Sequence, residues 1–174
     1  AFSSFFDRAA KTSRDLGASI SDYVSATADW ARLGYGLPDA EELARVSTLF
    51  ANVGDGIENI ADASSYMISI LKGFDLAADD AQKVADLINE VANNEPASAS
   101  DISEILTRSG AALHEAGNDL SQAISLGVAM NSVTQNAEST GQTLKTVSMY
   151  LRAAKTYLEN MGESSDGCAN SVSE

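Results

Sequence analysis

The chain has 174 residues, a formal net charge of −14, and a composition that is 44% hydrophobic but only 6% aromatic. The acidic excess argues against direct nucleic-acid binding by this segment, because contacts to phosphates need clustered lysine and arginine. Alanine supplies much of the hydrophobic content and only two prolines occur, so the sequence predicts an all-α fold of long amphipathic helices.

Signals for a compartment or a membrane are few. The longest apolar run, residues 123–130, falls well short of the roughly 20 residues that a membrane-spanning helix needs. The single cysteine, Cys168, cannot form an internal disulfide and fits a reducing compartment. No signal peptide is recognisable and the chain starts with alanine, so we expect a piece of a longer protein.

Two helices are predicted at the N-terminus, over residues 3–16 and 19–33. Each is followed by a glycine, Gly17 or Gly34, at the position where helices commonly end in a left-handed residue. This helical pair forms the first predicted unit, residues 1–34.

The next stretch, DWARLGYGLP, brings the only tryptophan of the chain, two glycines and the first of its two prolines into one predicted turn. Pro38 is predicted at the first position of the following helix, where the N–H that proline lacks would be unsatisfied anyway. Trp30 and Tyr35 are expected to pack across the corner, with Gly34 as the helix stop. We interpret Trp30, Gly34 and Pro38 as residues that serve packing and chain direction.

Apolar residues then recur with the alternating spacing of three and four that is typical of a helix packing through one narrow face. This first seam comprises Leu43, Val46, Phe50, Val53, Ile57 and Ile60. Gly54 and Gly56 interrupt the seam, and the sequence leaves open whether one helix continues there or the chain bends. Gly73 is the predicted C-cap of the region.

A shorter helix is predicted over residues 77–92, and the stretch NNEPASASD then breaks the chain. Ser100 or Asp101 is expected to cap the helix that follows. The last long helix, expected to end at Gly162, carries a second seam. This second seam comprises Leu144, Val147, Leu151 and Leu158, together with Ala154 and Met161.

A faint internal repeat relates residues 43–57 to residues 106–120, at an offset of 63 that preserves the heptad phase. Amphipathic helices also resemble one another by chance, so duplication and coincidence both stay open. The breaks divide the rest of the chain into an acidic first helical unit, residues 35–96, and a second unit, residues 97–174, with a C-terminal helix and a flexible tail.

No motif for catalysis, cofactor binding or metal binding is recognisable. The lone His114 has no partner ligands at a matching spacing. The aspartates around residue 80 lack the alternating ligands of a calcium loop and fit an acidic helix start better. The sequence therefore predicts a protein that is not an enzyme and that needs no cofactor or metal.

Six segments of the sequence occur together in a characteristic order. They are DYVSATADWARLGYGLPDAEELA, NVGDGIENIADASSYMISILKGF, ADLINEVANN, SASDISEILTRSGAALHEAGNDLSQAI, GVAMNSVTQNAESTGQTLKTVSMYLR and LENMGESSDG. In this order the chain resembles the core region of phage tail tape-measure proteins of siphophages and prophages. The resemblance is strongest over residues 21–167.

The resemblance implies a structural virion protein that occupies the lumen of the tail tube. Such a protein sets tail length during assembly in the host cytoplasm and leaves the tube ahead of the DNA at infection. The implied partners are the tail tube protein, tail assembly chaperones, tail tip proteins and other copies of the same chain.

Two questions stay open at this level. The chain breaks favour hairpins and a helical bundle in isolation, whereas the heptad seams suit an extended or multi-stranded state in the tail. The alternative function is a helical protein–protein interaction module, an adaptor or a secreted bundle, that shares only the amphipathic pattern.

Overall fold

The computed structural model describes residues 2–165. Within that range it contains eight α-helices, a short 3₁₀ turn at Ala78–Asp80 and no strand, which confirms the all-α prediction. Cys168 and the predicted flexible tail from residue 166 onward lie outside the described residues. The helices are α1 (Phe2–Asp15), α2 (Ile20–Arg32), α3 (Leu37–Val53), α4 (Ile60–Gly73), α5 (Ala81–Asn94), α6 (Ala99–Glu115), α7 (Leu120–Thr134) and α8 (Ala137–Asn160).

Side-chain caps fix where several helices begin. Ser98 caps α6 in a reciprocal capping box with Asp101, with hydrogen bonds of 3.0 and 3.2 Å. The prediction of Ser100 or Asp101 as the cap is therefore wrong, because Asp101 is the third helical residue and returns the hydrogen bond of Ser98.

The region between α3 and α4 is a bend, so the first seam does not run along one helix. Gly56 has a φ of +76°, which glycine adopts without strain. A side chain at Gly54 would approach the carbonyl oxygen of Phe50 to 2.7 Å. The backbone N–H of Ser100 donates to the carbonyl oxygen of Asp55 at 3.0 Å, which docks the bend onto the start of α6.

Helices α4 and α6 cross closely in the middle of the molecule. A Cβ at Gly73 would lie 3.2 Å from the backbone nitrogen of Ala111, and one at Gly110 would lie 2.8 Å from the ring of Phe74. Gly73 is therefore a packing residue and the last residue of α4, and Phe74 takes the cap position predicted for Gly73. The left-handed residue that follows is Asp75, with a φ of +52°.

In the two three-helix sets α3–α5 and α6–α8, an arginine of the first helix contacts the second residue of the third helix. Arg45 of α3 donates to Gln82, the second residue of α5, at 3.1 Å. At the matching place in the second set, Arg108 of α6 pairs with Glu138, the second residue of α8, at 3.2 Å. Buried residues of both sets belong to one continuous hydrophobic core, which the α4–α6 crossing connects.

Candidate assembly surfaces

The corner between α2 and α3 is a packed junction. Trp30 is completely buried, and its ring meets that of Tyr35 edge to face, with centroids 5.5 Å apart. Gly34 has a φ of +95°, and Pro38 is the exposed second residue of α3. The expected position of Pro38 is thus off by one residue. The geometry directs the chain and offers no reactive group.

A polar network joins α1, α2 and α3 beside this corner. Arg8 binds the carboxylate of Glu41 through two hydrogen bonds of 2.9 and 2.5 Å. The hydroxyl of Tyr23 donates to the carbonyl oxygen of Glu41 at 2.9 Å. Burial, aided by the nearby Glu41 carboxylate, raises the pKa of Tyr23 above its ordinary value.

A second charged cluster lies on α3 itself. Arg45 binds Glu42 through hydrogen bonds of 2.8 and 2.7 Å, which lower the pKa of the Glu42 carboxyl. The same bonds raise the pKa of Arg45. Arg45 also donates to Gln82 of α5, so the cluster links α3 to α5.

The structure distributes the first seam over two helices and the bend. Leu43, Val46 and Phe50 are buried in α3, and Ile57 is buried within the bend. Ile60, at the start of α4, packs half-buried against the core. Val53 differs, because 51% of it is exposed at the end of α3, where the chain turns away. Packing inside this chain therefore does not account for Val53.

The second seam is covered only along the first half of α8. Leu144 is buried, whereas Val147 is 39% exposed and Leu151 and Leu158 are half-buried. No residue of α8 beyond Ser148 is buried. The second half of α8 also exposes large apolar side chains, namely Met149, Tyr150 and Tyr157. Within the described chain this half-helix is a long amphipathic surface without a covering element.

Two ion pairs hold α8 to α6. Arg108 bridges Glu104 and Glu138, and Arg152 pairs with Glu115 near the end of α6. Both arginines are partly exposed, so each pair contributes at most about 1 kcal/mol. Their effect is to orient the uncovered half of α8 against the end of α6.

Sequence reasoning missed how much of the packing depends on small residues. Ser13, Ser47, Ser64, Ser103 and Ser148 are buried, and their hydroxyls find no hydrogen-bond partner among the described residues. Gly73 on α4 and Gly141 on α8 let backbones approach closely, while Gly110 on α6 and Gly127 on α7 leave room for neighbouring side chains. Small residues recurring at helical spacing were the available signal, although alanine-rich composition hides it.

The described residues contain no group of His, Cys, Asp and Glu side chains suited to a metal ion. The ring of His114 packs against Phe74, with centroids 5.8 Å apart. Among the described helices, none combines the length and apolarity required to cross a bilayer.

A family model described as phage-related minor tail protein matches residues 7–173. The chain belongs to that family. Membership confirms the resemblance noted in the sequence and gives the chain a structural role in the phage tail. It favours the tail interpretation over an interaction module unrelated to tails.

A similarity to a curated phage protein adds to this comparison. A protein of Halomonas phage phiHAP-1 called a probable tape measure protein is 40% identical over 75 residues. The aligned stretch covers 42% of this chain but only 9% of that protein, so the relative is far longer than the match. No solved structure matches the chain.

Proposed function

We propose that this chain is a segment of a tape-measure protein that sets tail length during assembly and leaves the tube ahead of the DNA at infection. The observation that carries the proposal is the 40% identity to a probable tape measure protein. The chain acts without catalysis, cofactor or metal.

The proposal includes the location and the partners. The segment occupies the tube lumen in the virion and the host cytoplasm during assembly. It contacts the tail tube protein, tail assembly chaperones, tail tip proteins and other copies of itself. The division into residues 1–34, 35–96 and 97–174 belongs to the same proposal, with each unit contributing its own increment of length.

A ruler requires that the bundle open into an extended form in the tail. Helix rises about 1.5 Å per residue, so 174 residues reach roughly 260 Å when extended, whereas the longest helix of the bundle has 24 residues. Two features favour opening at the α3–α4 bend. The seam spacing from Val53 through Ile57 to Ile60 keeps its phase across the bend, and Val53 is already exposed.

The test changes the number of three-helix sets in the gene of the full-length phage protein. Removing residues 37–98, which contain α3–α5, joins α2 to α6 at the place where α3 began. These 62 residues correspond to about 93 Å of helix. We expect tails shorter by that amount, and tails longer by the same amount when residues 37–98 are duplicated. Electron microscopy of assembled tails measures both.

The control is Glu58→Gln, an exposed substitution inside the same segment that leaves the residue count unchanged. It should give tails of normal length. Tails of normal length from both the deletion and the duplication would contradict the ruler role of this segment. A change of only about 10 Å, one helix-to-helix distance, would contradict the extended form.

A further inference from the structure

Three helix-to-helix junctions within residues 2–165 share one turn, called the common turn below. Their sequences are LGASI (residues 16–20), LGYGL (33–37) and AGNDL (116–120). In each, the glycine after the helix has a positive φ, of +68°, +95° or +93°, and its N–H donates to the carbonyl oxygen three residues earlier. The residue two positions after the glycine is the N-cap of the next helix, which begins at the final isoleucine or leucine.

The junction between α3 and α4 has the same sequence pattern and a different structure. Its sequence, VGDGI (residues 53–57), keeps both glycines of LGYGL. However, Gly54 has a φ of −80°, and its N–H donates to the carbonyl oxygen four residues earlier. The positive φ is at Gly56, and α4 begins only at Ile60, with Asn59 as its N-cap. This helix therefore starts three residues, nearly one turn, later than the common turn would place it.

Contacts with the start of α6 account for the difference. The backbone N–H of Ser100 donates to the carbonyl oxygen of Asp55 at 3.0 Å. Gly56 lies so close to α6 that a Cβ on it would be 2.9 Å from the Cβ of Ser100. Ile57, the residue at which the common turn would start α4, is buried within the bend. The local sequence and the tertiary contacts thus favour different structures at this junction.

The two glycines are compatible with both structures. In the common turn, Gly54 would take the positive φ and Gly56 would be the N-cap, the position that Gly36 holds before α3. In the bend these requirements are exchanged, because Gly56 has the positive φ and a Cβ at Gly54 would lie 2.7 Å from the carbonyl oxygen of Phe50. Glycine at both positions leaves the choice between the two structures to the surrounding helices.

We propose that the α3–α4 junction is a conformational switch between the observed bend and the common turn. In the second state α4 begins at Ile57 and gains residues 57–59, and the hydrogen bond from Ser100 to Asp55 is broken. The start of α6 selects the bend, so the junction responds to whether α6 is docked against it. The inference concerns the folded bundle and does not depend on the proposed role in the tail.

The variant Gly56→Asp should move the junction to the common turn. An aspartate strains the bend, where residue 56 has a positive φ and meets Ser100. It also supplies the side-chain cap that Asp119 gives to α7. Gly56→Ala is the matched control, because alanine also strains the bend but caps a helix poorly.

Nuclear magnetic resonance of the purified 174-residue chain measures the outcome. In Gly56→Asp we expect helical ¹³Cα chemical shifts at residues 57–59. Hydrogen exchange at the N–H groups of Ile60 and Ala61 should slow about tenfold, because both then bond within the longer helix. Gly56→Ala should instead loosen residues 54–59 and speed up that exchange. Wild-type or random-coil shifts at residues 57–59 of Gly56→Asp would overturn the inference.

If Gly56→Asp does not fold, relaxation dispersion of the wild-type chain decides the question. Exchange on the microsecond-to-millisecond timescale at residues 54–60, without exchange at the three junctions that have the common turn, would support a second state of this junction. Absence of exchange at residues 54–60 would overturn it. Both measurements use purified protein and no tails, so their failure leaves the tail-length result intact, and the reverse also holds.

Discussion

At the scale of single residues, burial is the main cause of the raised pKa of Tyr23. Its pKa is raised, so the folded chain binds the phenolic proton more tightly than the unfolded chain does. The resulting stabilisation is complete below pH 10, the ordinary pKa of tyrosine, and is lost as pH rises through the folded pKa. We expect the free energy of unfolding of the wild type to fall more steeply above pH 10 than that of Tyr23→Phe.

Urea unfolding at pH 7 and at several values above pH 10 measures this difference. At pH 7 the variant should lose about 0.5–1.5 kcal/mol, the usual contribution of the hydrogen bond from Tyr23 to Glu41. Tyr150→Phe serves as the control, since Tyr150 is 73% exposed. If the free energy of unfolding depended on pH in the same way for the wild type and Tyr23→Phe, the raised pKa of Tyr23 would be contradicted.

Gly141 is the residue where close helix packing reverses a simple propensity rule. In an exposed helix, Gly→Ala stabilises by about 1 kcal/mol. Here a Cβ would lie 2.9 Å from the Cβ of Arg108 and 3.0 Å from the carbonyl oxygen of Ile105, so the backbone of α6 blocks it. We expect Gly141→Ala to destabilise by about 1–3 kcal/mol in denaturant unfolding.

Gly127 provides the comparison for this prediction. A Cβ there would also be 2.9 Å from Ile105, but from the Cγ2 of its side chain, with no backbone atom among the nearest contacts. Gly127→Ala should therefore cost less than Gly141→Ala. Equal losses, or a gain in stability for Gly141→Ala, would contradict the close crossing of α6 and α8.

At the scale of elements, the start of α6 depends on one side chain. Ser98→Ala removes the capping box with Asp101 and should cost about 1 kcal/mol in the free energy of unfolding. Ser100→Ala is the matched control because Ser100 contributes its backbone N–H to the bend and no side-chain cap. Its effect should remain within about 0.5 kcal/mol. A larger loss of stability for Ser100→Ala than for Ser98→Ala would contradict the assignment of Ser98 as the cap of α6.

The second half of α8 contributes little to the bundle. A chain ending at Ser148 loses the Arg152–Glu115 pair but no buried residue of α8. Its free energy of unfolding should fall by less than about 2 kcal/mol, because only this ion pair and the half-buried Leu151 and Leu158 are lost. A chain ending at Gln142 also loses the buried Leu144 and should be destabilised by about 2–5 kcal/mol. Similar losses in both chains would mean that the uncovered half supports the fold.

At the scale of the whole molecule, the shared core predicts cooperative unfolding. Because α4 and α6 pack closely and the core is continuous, both three-helix sets should unfold in one transition. Trp30 is the chain's only tryptophan and lies in α2, so its fluorescence reports the N-terminal part, while circular dichroism reports all helices. The two urea curves should coincide. Separated midpoints would indicate units that fold independently.

The sequence by itself determined the helical class and many helix ends, because hydrogen bonding within a helix and capping involve residues only a few positions apart. Gly17, Gly34 and Gly162 all have the positive φ expected after a helix. The apolar periodicity also located Leu43, Phe50 and Leu144 in the core.

The tertiary structure alone decided which faces are covered. The heptad pattern treats Val46 and Val53 alike, yet one is buried and the other exposed, because the bend at Gly54–Asn59 is held by its contact with α6. Periodicity fixes which side of a helix is apolar, but burial depends on residues far away in sequence, and only the folded chain brings them together.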